Sequence, residues 1–104
     1  MMRELNEVIK KEIKNDVYEF LADECDMDLE VIKDDMSIMD DLDGDSLMFV
    51  EIVETLKKKY NLDIQLQVVG KYLLKHPAET VGEVVDTIYL VYQYENGIVD
   101  LEDK

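Results

Sequence analysis

The residues best placed to do chemistry lie in "DDLDGDSLMFVEIVETLKKKY", from Asp40 to Tyr60. Asp40, Asp41, Asp43 and Asp45, with Gly44 among them, lead up to Ser46, and the apolar Leu47, Met48 and Phe49 follow at once. Serine and aspartate are favoured helix caps, so Asp45 or Ser46 could simply satisfy the first free backbone N–H groups of a helix. A hydrolytic serine would need a general base. The single histidine, His76, stands beside Pro77 at the end of a different predicted helix, which argues against a Ser-His-Asp site. A calcium loop fails as well: with Gly44 at its sixth position, Met39 and Val50 fall at the first and twelfth, where carboxylates are required. Cys25 and His76 are too few for zinc, and Cys25 reads as a small packing residue. What the site does offer is a hydroxyl at the positive end of a helix dipole, where a phosphate is favoured. The surrounding carboxylates oppose a free anion. A covalent phosphodiester installed by another protein fits the acidity better.

Such a hydroxyl needs a rigid domain to present it. The chain has 104 residues, the size of one domain with a modest core. Acidic residues number 26 against 11 basic, for a formal charge of −15. That balance argues against nucleic acid, whose phosphates demand cations, and against an anionic membrane surface. It favours partners with basic patches. The apolar content is high enough for folding. A single cysteine cannot form an internal disulfide, which fits a reducing cytoplasm. The opening "MMRELNEVIKKEIKND" is neither a signal peptide nor a membrane span. A cytoplasmic monomer is expected.

The helical period dominates. Leu5, Val8, Ile9, Ile13, Val17, Phe20 and Leu21 recur at spacings of three and four and predict a first amphipathic helix. A long polar connection follows, with Leu29, Ile32, Met36, Ile38 and Leu42 as apolar anchors; a loop of that length in a compact domain usually serves function. The second helix is predicted from about Ser46 to Tyr60, and a shorter third over "LQVVGKYLLKH", stopped by Pro77. "TVGE", Thr80 to Glu83, is a capping-box pattern that opens a last helix bearing Val81, Val84, Val85, Ile88, Val91 and Tyr92. The expectation is an all-α four-helix bundle over residues 1–93, with a long loop between the first two helices. Residues 94–104 are expected to form a flexible acidic tail.

On a helical wheel, Phe49, Ile52, Val53, Leu56 and Tyr60 share the inward side of the second helix. Leu47, Glu51, Glu54 and Lys58 share the outward side, flanked by Met48 and Val50. A cluster of Leu47, Met48 and Val50 beside a helix-start hydroxyl reads as a docking surface.

In "DDLDGDSLMFVEIVETLKKKYNLDI" the chain resembles the acyl carrier proteins, whose hallmark is an aspartate-serine-leucine triplet opening the second helix of a four-helix bundle. "IKDDMSIMDDLDGDSL" matches the family's approach to that triplet, and the resemblance runs from about Leu5 to Tyr92. It implies that Ser46 receives 4′-phosphopantetheine from coenzyme A through a phosphopantetheinyl transferase. The arm's thiol would then carry acyl groups as thioesters for fatty-acid, lipid or polyketide-type biosynthesis. Asp45 would help the transferase recognise the site. Leu47, Met48, Val50, Glu51 and Glu54 would face acyl-loading and acyl-processing enzymes. Phe49, Ile52, Val53, Leu56, Ile64 and Ile88 would line the space that shelters the acyl chain. The protein would be a carrier and not itself an enzyme.

Several features depart from the family. Asp43 stands where glycine is common, with Gly44 one place later. Met48 and Phe49 replace the usual acidic and small residues, Lys57 to Lys59 occupy positions that are often acidic, and "QLQVVGKYLLKHPAE" is long. These point to a specialised carrier. Peptidyl and D-alanyl carriers share the triplet. The rival reading from another class is an unmodified acidic helical interaction module.

Overall fold

The computed structural model describes residues 4–42 and 46–98, except for the side chains of Ser46 and Leu47. Four helices account for most of them: α1 (Glu7–Glu24), α2 (Ser46–Tyr60), α3 (Leu66–Lys75) and α4 (Val81–Tyr94). The fold is the all-α bundle that the sequence predicts. Helix α1 is opened by Asn6, whose side chain accepts the Ile9 N–H at 2.9 Å. Helix α4 is opened by the full capping box, with Thr80 and Glu83 satisfying each other's backbone.

Two helices end by the same device. Asp26 and Asn61 adopt the left-handed backbone conformation, with φ of 53° and 54°. The next N–H then reaches back across the last turn: Met27 to the Ala22 carbonyl at 2.9 Å, Leu62 to that of Lys57 at 3.0 Å. Leu62 is buried beyond its turn, so this ending also contributes to the core.

Helix α1 packs on α4, and α2 on α3. The core is built from Ile13, Val17 and Leu21 of α1, Ile52, Val53 and Leu56 of α2, Val69 and Tyr72 of α3, and Val81, Val84, Val85, Ile88 and Val91 of α4. Each fully buried aliphatic side chain contributes about 1.5–3 kcal/mol relative to an exposed one.

Three expectations are corrected. Val8, placed on the inner stripe of α1, is 72% exposed: Ile9 packs against the core, and Val8 points about 100° away from it around the helix. Among the loop anchors, Ile32, Ile38 and Leu42 are buried, whereas Leu29 is 40% exposed in a short 3-10 turn. Residues 95–98 are not a frayed tail but a 3-10 turn that buries Ile98 completely. That turn also returns hydrogen bonds to the α2–α3 connection: the Gln65 N–H donates to Asn96 Oδ1 at 2.9 Å, and the Asp63 N–H donates to the Glu95 carboxylate. Residues 99–104 lie outside the described part.

The long loop is held by α4. The Ile38 N–H donates to the Glu79 carbonyl, and the Val81 and Gly82 N–H groups donate to Met36 and Asp34, all within 3.0 Å. Ser37 and Thr80 face each other in an antiparallel bridge. At Gly82 the chains approach so closely that a Cβ would lie 3.2 Å from the Asp34 carbonyl oxygen. The Asp34 side chain is fastened to α1, taking a hydrogen bond from the Tyr18 hydroxyl and an ion pair from Lys14 at 3.1 Å.

The Tyr18 hydrogen bond, seconded by Lys14, holds the Asp34 carboxyl below the usual carboxylate range against the opposing effect of burial. Burial first, and then the bond to Asp34, push the Tyr18 phenol up. A depressed carboxylate contributes stability that is complete above its unfolded pKa, near about 4, and is lost as pH falls through the folded value. In Tyr18→Phe, carboxyl-carbon NMR should therefore show Asp34 titrating at higher pH than in the wild type. The stability difference between the two proteins, less than about 1 kcal/mol for so exposed a pair, should close as pH drops below about 4. An unchanged Asp34 titration would contradict the assignment.

Candidate functional site

Ser46 is the first residue of α2, so the preceding capping position falls on residue 45. Asp43, Gly44 and Asp45 lie outside the described residues, and with them the expected role of Asp45. The first turn of α2 contains no acidic side chain, while Lys57, Lys58 and Lys59 occupy its last turn. The lysines suit the C-terminal end of the helix dipole, and with no carboxylate in the first turn the N-terminal N–H groups remain compatible with a phosphate. Residues 46 and 47 are fixed here as backbone only, so the outward placement of Leu47 is not among the described features.

Directly after Ser46 the helix becomes one wall of a groove of about 890 Å³. Met48, Phe49, Val50 and Ile52 of α2 line it. Facing them are Val69, Gly70, Leu73 and Leu74 of α3. Loop residues Ser37 to Asp40 close one side, Pro77 to Glu79 another, and Leu21 and Val84 reach in from α1 and α4. The floor is apolar and buried at Leu21, Ile52, Val69 and Val84, while Met39 and Leu74 stand on the rim at 74% and 86% exposure. Among the described residues, the only ionisable groups on the wall are the exposed carboxylates of Asp40 and Glu79. A cavity of this volume and polarity is suited to a flexible apolar ligand.

The loop that forms one side of the groove is internally braced. The Ser37 N–H donates to the Asp41 carboxylate at 2.7 Å, and the Ser37 hydroxyl accepts the Asp40 N–H at 3.1 Å. Ser37, the other serine of the chain, thus serves a turn.

Of the six residues expected around an acyl chain, Phe49 and Ile52 line the groove. Val53, Leu56, Ile64 and Ile88 do not; they are buried in the packed core. Of the expected partner-facing residues, Met48 and Val50 are half-buried on the groove wall. Glu51 is half-buried, and Glu54 is exposed beside Lys57, Lys58 and Asn61 at a smaller surface hollow. Sequence reasoning missed Val69, Gly70, Leu73 and Leu74, whose signal was the apolar run of α3 interrupted by a glycine.

The lysine run is partly structural. Lys59 Nζ lies 2.8 Å from Asp16 and 3.2 Å from Glu12, bracing α2 against α1. The Tyr60 hydroxyl donates to the same Asp16 at 3.0 Å, and its ring meets Tyr92 edge-on at 5.5 Å. Burial, then the Asp16 carboxylate, raise the Tyr60 phenol. Among the described residues no group of three or more histidine, cysteine, aspartate or glutamate side chains could hold a metal ion. Among them, too, no helix is long and apolar enough to cross a membrane.

Comparison with known proteins agrees with this geometry. Residues 15–88 match the family described as the phosphopantetheine attachment site. The chain is 57% identical to an acyl carrier protein homolog of Clostridium acetobutylicum over 103 residues, covering 99% of this chain and 100% of that protein. It is 32% identical to the acyl carrier protein of a Picosynechococcus species over 81% of this chain and 91% of that one. A polyketide-8 synthase acyl carrier protein of Streptomyces avermitilis is 43% identical over 49 residues, 47% of this chain and 56% of that protein. No solved structure matches the chain.

Proposed function

The chain belongs to the acyl carrier protein family, and from that premise we propose that Ser46 bears its 4′-phosphopantetheine arm and that the α2–α3 groove shelters the acyl group. The protein is a non-catalytic carrier, and phosphopantetheine is its prosthetic group. That group supplies a terminal thiol on a flexible tether, which holds acyl groups as thioesters. The residues suit it. Ser46 heads α2, no carboxylate sits in that helix's first turn to repel a phosphodiester, and the same turn continues directly into the apolar wall.

The observation that carries this reading is the position of the groove in the chain: Ser46 begins α2, and Met48, Phe49, Val50 and Ile52, two to six residues later on the same helix, line an apolar groove. Met48 and Val50, exposed in part on the groove edge, and Glu51 and Glu54 on the outer side of α2 are the side chains a docking enzyme would meet. Asp45 is assigned to transferase recognition, and Leu47 to the same docking face. Incubation with coenzyme A and a broad-specificity phosphopantetheinyl transferase in the cytosol-like reducing buffer such carriers require should give one adduct by intact mass. A folded protein that gains none would leave the acidic interaction module as its function.

We further propose a dedicated pathway. Lys57 and Lys58 stand on α2 where carriers of the family are often acidic, and α3 is a full ten-residue helix that supplies the groove wall facing α2. Housekeeping fatty-acid synthase enzymes should load and elongate this carrier less efficiently than an ordinary one. Equal efficiency would remove the case for a dedicated role.

A further inference from the structure

We propose that Gly70 is a specificity-determining position, which keeps the α3 wall open so that the distal part of a long, uncharged aliphatic acyl chain lies against it. This rests on reading the groove as the acyl site. Gly70 sits in the middle of α3, where glycine is among the poorest helix formers. Nothing among the described residues requires it there. Its φ is not positive, so the backbone conformation is open to any residue. A Cβ built on it meets no atom of the surrounding fold within 4 Å, so no close packing excludes a side chain either. In this it differs from Gly82, where a Cβ would press on Asp34.

Gly70 nevertheless lies on the groove wall, between Val69 and the Leu73–Leu74 pair. A bare helix flank at that place has one physical effect: it widens the groove on the α3 side by the volume of a side chain. The occupant is fixed by what surrounds it. The wall includes Met48 and Phe49 of the first turn of α2 and is apolar along its floor, and among the described residues the only charges on it are the Asp40 and Glu79 carboxylates, which would repel a cargo ending in a carboxylate. An aliphatic chain delivered from Ser46 meets each condition.

The test uses the full-length protein carrying the arm, loaded through the transferase with amide-linked butyryl, octanoyl or hexadecanoyl groups that resist hydrolysis. The readout is the thermal unfolding midpoint of each form. In the wild type the midpoint should rise from butyryl to hexadecanoyl, because longer chains bury more apolar surface. Gly70→Ala should raise the midpoint of the unloaded form by about 4–8 °C, as expected for replacing an unneeded helix glycine. Gly70→Phe should cut the hexadecanoyl gain to the butyryl level, whereas Lys71→Phe, with the same bulk off the groove wall, should keep it. If Gly70→Phe fails to fold unloaded, Gly70→Leu makes the same comparison. A full hexadecanoyl gain in the bulky Gly70 variant, or a lower midpoint in Gly70→Ala, overturns the role of Gly70 and leaves the groove as the acyl site. A wild type whose midpoint ignores chain length overturns both.

Discussion

Replacing Ser46 with alanine is expected to abolish the phosphopantetheine adduct and all acyl loading while the bundle stays folded. With Ser46 as the proposed single point of attachment the loss should be complete, since a methyl group offers no oxygen to bond. The fold is expected to survive because the change removes one hydroxyl at the head of α2, while the described core residues of that helix, from Phe49 onward, are untouched. Even if its hydroxyl caps the helix, the cost is about 0.5–2 kcal/mol, against a typical stability of about 5–15 kcal/mol. Far-UV circular dichroism and a urea melt report the fold, and intact mass reports the adduct. An adduct of wild-type size on the alanine variant would place the arm elsewhere.

Phe49→Ala is expected to destabilise the unloaded protein by about 3–5 kcal/mol, the largest effect on folding predicted for the site. Phe49 is 6% exposed, so its ring is packed on the core side while one part of it faces the groove. Truncation loses the transfer free energy of the ring and leaves a hole that the neighbouring helices only partly close. The hole joins the groove, so a hexadecanoyl chain should refill part of it. The stabilisation gained on loading should then exceed that of the wild type, as measured by urea midpoints of loaded and unloaded forms. A loss below about 1 kcal/mol would mean that Phe49 is not the packed wall described above.

The parts of the fold that local chemistry determines were legible in the chain. The start of α2 at Ser46, the stop before Pro77 and the Thr80–Glu83 capping box depend on residues within a turn of one another, and the structure has all three. Tertiary position was less so. The spacing that placed Ile13 and Val17 inward also selected Val8, because a pattern of threes and fours admits both Val8 and Ile9, and only packing shows that Ile9 faces the core. The burial of Ile98 depends on how the chain folds back after α4, and no local pattern around "YENGIVD" encodes that.

The same limit shaped the reading of the site. A helical wheel divides α2 into an inner and an outer side; it set Met48 and Val50 at the flanks of the outer side and Val53 and Leu56 on the inner one, which the family resemblance made the acyl space. The groove follows neither side. It runs along the edge where α2 meets α3, so it takes Met48, Phe49, Val50 and Ile52 and leaves the deeper residues to the core. The α3 wall could not be assigned before the relative placement of two helices was known.

Fragmentation mass spectrometry of the transferase-treated protein, locating the adduct residue by residue, bears most directly on the account. The chain offers two serines, Ser37 and Ser46, and the Ser37 hydroxyl serves a loop turn. The phosphopantetheine should be found on the Ser46 side chain alone. Its appearance on Ser37 or on a threonine, with Ser46 unmodified in the folded protein, would contradict it.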